Sequence, residues 1–333
     1  MPEKPARKMN ESEIQTMRNP WTINDIPSQI GKRVLVTGAN SGIGYHAALT
    51  LACKGAQVML ACRDRQRGEA ALARLHAAAP EARAELAILD LASLAAVREF
   101  AQSELAAQRP IHILVNNAGV MAPPKRLETA DGFELQFGTN VLGHFALTAL
   151  LMPALERAAA ESPDRPRIVT IASIAHKQGQ IDFNDLQSSK AYAPMRAYRQ
   201  SKLADLMFAI ELDRRLRAAR SRVMSVAAHP GVANTNLFRR ADHSAFSGAV
   251  RGLLGHIIGA VLNTDGAGAL PTLYAATSPD ASDGGYYGPQ GLLETRGSTI
   301  GEAGIATQAK DAATAARLWQ VCEELTQIRF RPS

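Results

Sequence analysis

The chain has 333 residues, of which 46% are hydrophobic and 20% charged, with a net charge of +6. That composition excludes a disordered or fibrous protein, and at about 150 residues per domain the length alone predicts two domains. Three cysteines (Cys53, Cys62, Cys322) without a CxxC pair exclude a disulfide framework and fit a reducing, cytoplasmic setting.

Residues 1–30 carry Lys4, Arg7, Lys8 and Arg18 among several acids, with no apolar run of signal-peptide length, and read as an N-terminal extension. From residue 31 onward, short β-branched runs alternate with helical stretches. The predicted strands are 33–37, 57–61, 85–89, 111–115, 167–172 and 223–227. The predicted helices fill 43–54, 66–78, 93–107, 133–158 and 196–219. Apolar strands separated by helices of this length imply parallel β-α-β units, with a doubly wound sheet covered on both faces. No Gly/Pro/Ser linker interrupts 31–290, so the alternation overrides the length argument and predicts a single domain there, followed by a tail, 291–333, with a helix near 310–326.

Two stretches break the pattern. Residues 174–197 read as a long loop. Residues 245–262 are nearly all apolar or Gly and reach the lower limit for a membrane span, but Arg251 and His256 interrupt them. We therefore expect 236–262 to be a cover over an apolar substrate pocket, with membrane contact through 245–262 open but not expected. The densest basic run (Arg214, Arg215, Arg217, Arg220, Arg222) has no aromatic partner and reads as a solvated helix end, so no nucleic-acid partner is expected.

The first strand runs into Gly38-Ala-Asn40-Ser41-Gly42-Ile43-Gly44 and then a helix. Glycines spaced in this way permit a sharp turn and a close approach of backbone to a pyrophosphate, and the helix start supplies N–H groups and a positive dipole end. Tyr45 and His46 after Gly44 exclude a P-loop. The second strand ends Ala61-Cys62-Arg63-Asp64, with Ala61 and Cys62 where an NAD site would place an acid. Arg63 suits a 2′-phosphate, so NADP(H) is preferred, while Asp64 keeps NAD(H) open. Further on come Asp90-Leu91, Asn116-Asn117-Ala118-Gly119, Asn140, Ser173 at a strand end, Tyr198-x3-Lys202 in a helix, and Pro230-Gly231-Val232 with Thr235.

In this order the motifs resemble the short-chain dehydrogenase/reductase family over about 31–290. The passages 60–64 and 131–145, and the 25-residue step from Ser173 to Tyr198, resemble its retinol-dehydrogenase-like branch and bacterial relatives. The resemblance implies hydride transfer between a nicotinamide and a carbonyl or alcohol. Tyr198 would be the acid–base group, Lys202 would support it and hold the ribose, and Ser173 would bind the substrate oxygen. Asn140 would hold a water. Gly38, Asn40, Ser41, Gly42, Ile43, Gly44, Arg63, Asp90, Leu91, Asn117, Ala118, Gly119, Pro230, Gly231, Val232 and Thr235 would line the cofactor. The residue types fit the chemistry. A free phenol near pKa 10 is a poor base, and at i, i+4 an ammonium shares its helix face; lowering a phenol by three units requires about 4 kcal/mol.

Asp90 can equally cap the helix beginning near Ser93, and Pro230-Gly231 can be a plain turn. No His spacing suggests a metal, and His144 and His229 read as packed structural residues. The apolar content of 236–262 predicts a lipophilic carbonyl or alcohol substrate. A non-catalytic NADP-binding sensor and a membrane-surface protein are the rival readings, and a homo-oligomer through 196–219 is compatible with the sequence.

Overall fold

The computed structural model describes residues 20–231 and 265–331. The chain runs through β1 (Arg33–Thr37), α1 (Gly42–Cys53), β2 (Gln57–Cys62), α2 (Arg65–Ala78), β3 (Arg83–Ile88) and α3 (Leu94–Ala106). It continues with β4 (Ile113–Asn116), α4 (Gly143–Glu161), β5 (Arg167–Ile171), α5 (Pro194–Ala218) and β6 (Met224–Ala228). Helix α6 (Asp265–Thr277), β7 (Tyr286–Pro289), β8 (Ile300–Glu302) and α7 (Ala312–Thr326) follow. Val232, Thr235, the expected cover over 236–262 and most of the N-terminal extension lie outside the described residues.

The strands form one sheet in the order β3-β2-β1-β4-β5-β6-β7-β8, parallel throughout except for the last pair. After β3 the chain crosses to the other side of β1 to begin β4, so the order reverses between β1 and β4. The carboxyl ends of strands at such a reversal leave a crevice that ligands use. Successive residues of β1 serve opposite faces: Val34 and Val36 pack with Leu51, Leu75 and Leu273 of α1, α2 and α6. Leu35 packs with Val97, Leu147, Leu206 and Trp319 of α3, α4, α5 and α7. Both faces are covered, which is why the strands read as continuous apolar runs.

The structure sharpens three boundaries. Residues after 290 are not a separate appendage: β8 joins the sheet, and Leu318, Trp319, Cys322 and Phe330 are buried in the same core as Phe145 and Phe208. Trp319 lies 5.1 Å from Phe145, centroid to centroid. The helix expected over 133–158 is a π-helical segment, Phe137–Leu142, running into α4. A window of this run, Phe137–Glu161, has a mean hydropathy of 1.3, enough for a membrane span, but is 83% buried and forms the centre of the fold. Lastly, the expected loop over 174–197 begins with a 3-10 turn, Ile174–Gln178, and α5 starts on Pro194, where a missing N–H costs nothing.

Candidate active site

The phosphate end is built from backbone. Gly38 and Gly42 have φ of +67° and +59°, the left-handed region that glycine enters without penalty. Ser41 occupies the N-cap position of α1 in extended conformation but makes no side-chain capping bond. The first-turn N–H groups of α1 therefore remain available to an anion, as a pyrophosphate requires. Gly44 is needed because α1 packs closely against the strand ends. A Cβ there would fall 2.4 Å from Asn117 Nδ2 and 2.8 Å from the Gly38 carbonyl oxygen. Asn117 in turn donates from Nδ2 to the Thr37 carbonyl at 2.7 Å, while the Asn117 and Ala118 N–H groups donate to Thr37 Oγ1, each at 2.9 Å. The Asn-Asn-Ala-Gly segment thus buttresses the glycine turn from behind.

Around the adenosine end, Asp64 turns toward α2, accepting from the Arg67 N–H at 2.9 Å and capping that helix. Its carboxylate is engaged there, and Arg63 stands exposed at the end of β2. Asp90 does not cap α3. Ser93 does so, through the Ala96 N–H, whereas Asp90 Oδ1 accepts from the Ala92 N–H at 3.0 Å in a local turn. Leu91 is buried, and its carbonyl would be 2.4 Å from a Cβ at Gly143, so α4 begins in close contact with the 90–91 turn.

The reacting end is built from side chains. Asn140 sits in the π-helical segment, a local widening often found where a helix serves a site. Its Oδ1 accepts from the Val120 N–H at 2.8 Å, and its Nδ2 donates to the Val120 carbonyl at 3.0 Å and to Ser201 Oγ at 2.9 Å. Ser201 passes the link on, donating to the Tyr198 carbonyl at 2.9 Å. Both N–H groups of the Asn140 amide are thereby engaged in holding the loop after β4 to α5. A Cβ on Gly119 would lie 3.4 Å from Asn140 Oδ1 and 3.9 Å from Lys202 Nζ, so these two groups converge on the loop after β4.

Tyr198 and Lys202 share one face of α5, and both are buried. Lys202 Nζ donates to the Ile171 carbonyl and to Asp205 Oδ2, each at 2.8 Å. Burial works against its charge, but the Asp205 carboxylate and the Tyr198 oxygen outweigh it and hold the ammonium above the usual lysine range. Ser173 follows β5 and accepts from the Ala175 N–H at 3.2 Å, capping the 3-10 turn. Pro230 and Gly231 follow β6, and Gly231 has a φ of +71°, with the Thr295 carbonyl 2.3 Å from where a Cβ would lie. Tyr192, shortly before α5, donates to the Pro123 carbonyl, and burial pushes its hydroxyl up to about 12.

Two groups at this end were not singled out from the sequence. Asp205 is one. His176 is another: its Nδ1 bonds the Ser173 carbonyl at 2.7 Å, and its Nε2 accepts from the Ala306 N–H at 3.3 Å. That tautomer ties the Ser173 turn to the segment after β8. His229 Nδ1 accepts from the Gly231 N–H, and its Nε2 lies 3.4 Å from Glu294, which Lys177 also meets at 2.9 Å. His144 bridges the Asn140 carbonyl (2.8 Å) and Thr37 Oγ1 (2.9 Å), joining the two ends of the site. Burial lowers both His144 and His229 to about 4, so both are neutral at physiological pH. They are packed residues, as expected, but packed within the site. Unlike Asp205 and His176, these two histidines carried a local signal, their nearness to recognised motifs.

Among the described residues no group of three or more His, Cys, Asp or Glu side chains is arranged to hold a metal. Three residues of the basic run are paired on α5: Arg214 and Arg215 meet Glu211, and Arg217 meets Asp213, each at 2.7 Å.

The short chain dehydrogenase family model matches residues 32–245. The chain belongs to the short-chain dehydrogenase family. Polyprenol dehydrogenase of Mus musculus is 42% identical over 275 residues, covering 82% of this chain and 80% of that protein. Retinol dehydrogenase 12 of Homo sapiens is 39% identical over 302 residues, covering 90% and 88%. A crystal structure of an uncharacterized protein from Mycobacterium paratuberculosis superposes with a TM-score of 0.75 at 39% identity, covering 94% of this chain and 99% of that one. This chain is a retinol-dehydrogenase-like member of the family and an oxidoreductase acting on alcohol and carbonyl groups, with a nicotinamide dinucleotide as its cofactor.

Proposed function

We propose that the chain is an NADP(H)-dependent oxidoreductase that interconverts a carbonyl and an alcohol on a lipophilic small molecule, with Tyr198 as the acid–base group. The observation that carries this reading is that Lys202, which feels the Tyr198 oxygen on the same helix face, meets Asn140 beside the loop that buttresses the glycine turn. The bound nicotinamide supplies or accepts the hydride. The uncapped N–H groups of α1 would hold its pyrophosphate, and the exposed Arg63 guanidinium would favour a 2′-phosphate.

The chain's own residues manage the proton. In reduction, Tyr198 gives its hydroxyl proton to the developing alkoxide; in oxidation, its oxygen takes the alcohol proton. Lys202, kept charged, stabilises the phenolate form on the same helix face. Ser173 donates to the substrate oxygen and holds it between Tyr198 and the hydride path. Asn140 holds the Val120 loop and, through Ser201, the backbone of Tyr198, so that the three groups keep a fixed spacing.

A lipophilic substrate is supported by the apolar composition of 236–262 and by the alcohols in the names of the relatives, a polyprenol and retinol. The test is NADPH oxidation with a panel of lipophilic ketones and aldehydes, with Tyr198→Phe as control. Loss of the acid–base hydroxyl is expected to lower kcat by about 10²–10⁴-fold without loss of NADPH binding. Full turnover by Tyr198→Phe would remove Tyr198 from the mechanism.

A further inference from the structure

Positions 198, 202 and 205 lie on one face of α5, with Lys202 in the middle, and Lys202 and Asp205 are almost wholly buried, their side chains 7% and 4% exposed. An ammonium has three N–H groups. Here one goes to the Ile171 carbonyl and one to Asp205, which fixes the direction of the third. We propose that Asp205 is a positioning residue for the reaction, a buried counter-ion that keeps Lys202 charged and oriented for Tyr198 and the cofactor. The inference rests on the reading of Tyr198 and Lys202 given above.

The physical need is clear from the surroundings. A lone lysine sealed in this interior would tend to shed its proton, since burial disfavours the charged form. Among the described residues, few charged or titratable groups face the pair. Tyr198 lies on α5 itself, the neutral His144 faces Lys202 from α4, and Cys322 faces Asp205 from α7. Burial pushes Cys322 well up, so it stays a thiol, and pushes Asp205 up to about 6, leaving Asp205 ionised at neutral pH. Asp205 is thus the group that can balance the ammonium. A carboxamide in its place would fill the same volume and still accept a hydrogen bond, but would carry no charge.

The test compares wild type, Asp205→Asn and Asp205→Glu in the full chain, reading NADPH affinity by fluorescence from pH 6.5 to 9 and carbonyl reduction over the same range. In Asp205→Asn, NADPH affinity and kcat should each fall by about tenfold toward pH 9, as for an ammonium brought down to a pKa of about 8, more than two units below a free lysine. Wild type and Asp205→Glu should remain flat. A purely structural role would be met by Asn as well as by Asp, so superimposable profiles for Asp205→Asn and wild type overturn the proposal. If Asp205→Asn does not fold, the wild-type profile decides: a tenfold loss of NADPH affinity between pH 7 and 9 would show an unsupported lysine and overturn it, and a flat profile supports it. The binding readout needs no turnover. A wild type that binds NADPH but reduces no carbonyl therefore defeats the functional reading without touching this one.

Discussion

The two ends of the site are made of different materials. At the phosphate end, glycines, backbone N–H groups and one buttressing amide form a cradle within about ten residues of sequence, closed by Asn117. At the reacting end, the groups come from β5, the π-helical segment, α5, the turn after β6 and the residues beyond 290, and most are buried and titratable. A backbone cradle is sensitive to added volume and indifferent to pH. A buried side-chain network tolerates some changes of volume but depends on which groups carry protons.

Acid should expose that contrast most. His144 and His229 are held near 4 in the fold against an ordinary 6.5, chiefly by burial. A depressed base of this kind contributes stability above pH 6.5 that is lost as the pH falls toward 4, about 3 kcal/mol for each. Asp205, raised to about 6 by burial, runs the other way and regains about 3 kcal/mol over the same range. Urea unfolding at pH 7 and pH 4.5 should show a loss to which these three groups together contribute about 3 kcal/mol, and His144→Asn should shrink it. An unchanged pH dependence in that variant would mean that the histidine titrates in the native state as it does in the unfolded chain.

The next effect is steric. Gly44→Ala puts a methyl against Asn117 and the Gly38 carbonyl, and should cost about 1–3 kcal/mol of stability. It should also weaken NADPH and NADH binding alike, with the pH profile of turnover unchanged. A shifted profile would show that the two ends are coupled, with the His144 bridge between Thr37 and Asn140 as the obvious route. The smallest effect is electrostatic and selective. Arg63→Ala should weaken NADPH by about 1.5 kcal/mol, roughly tenfold, and leave NADH nearly untouched, as expected for one exposed charge-assisted contact. Equal losses for both cofactors would take the 2′-phosphate away from Arg63.

How much could be read from residues alone follows the same division. The glycine turn, Tyr198-x3-Lys202 and the strand-end Ser173 are local patterns, and the parallel alternation from β1 to β6 is a periodicity, so all were visible in sequence. Strands β7 and β8 were not. They are four and three residues long and contain Gly and Pro, and their place in the sheet is set by their neighbours rather than by propensity. Asp205 was also missed, because an acid three residues after a lysine on a helix is ordinarily a solvent-exposed pair. Only the packing of α5 under α7 and against β5 makes it a buried one.

The length first suggested two domains, and the alternation of elements had already reduced them to one between 31 and 290. The sequence by itself determined the fold class and the positions of the chemistry, because glycine spacing and strand–helix periodicity are properties of short stretches of chain. The tertiary structure decided that the residues after 290 belong to that core, and that Lys202 is held between a backbone carbonyl and a carboxylate. It also decided that the histidines of the site are neutral. Each depends on burial and on partners distant in the chain, and a side chain's charge and aim are set by what surrounds it.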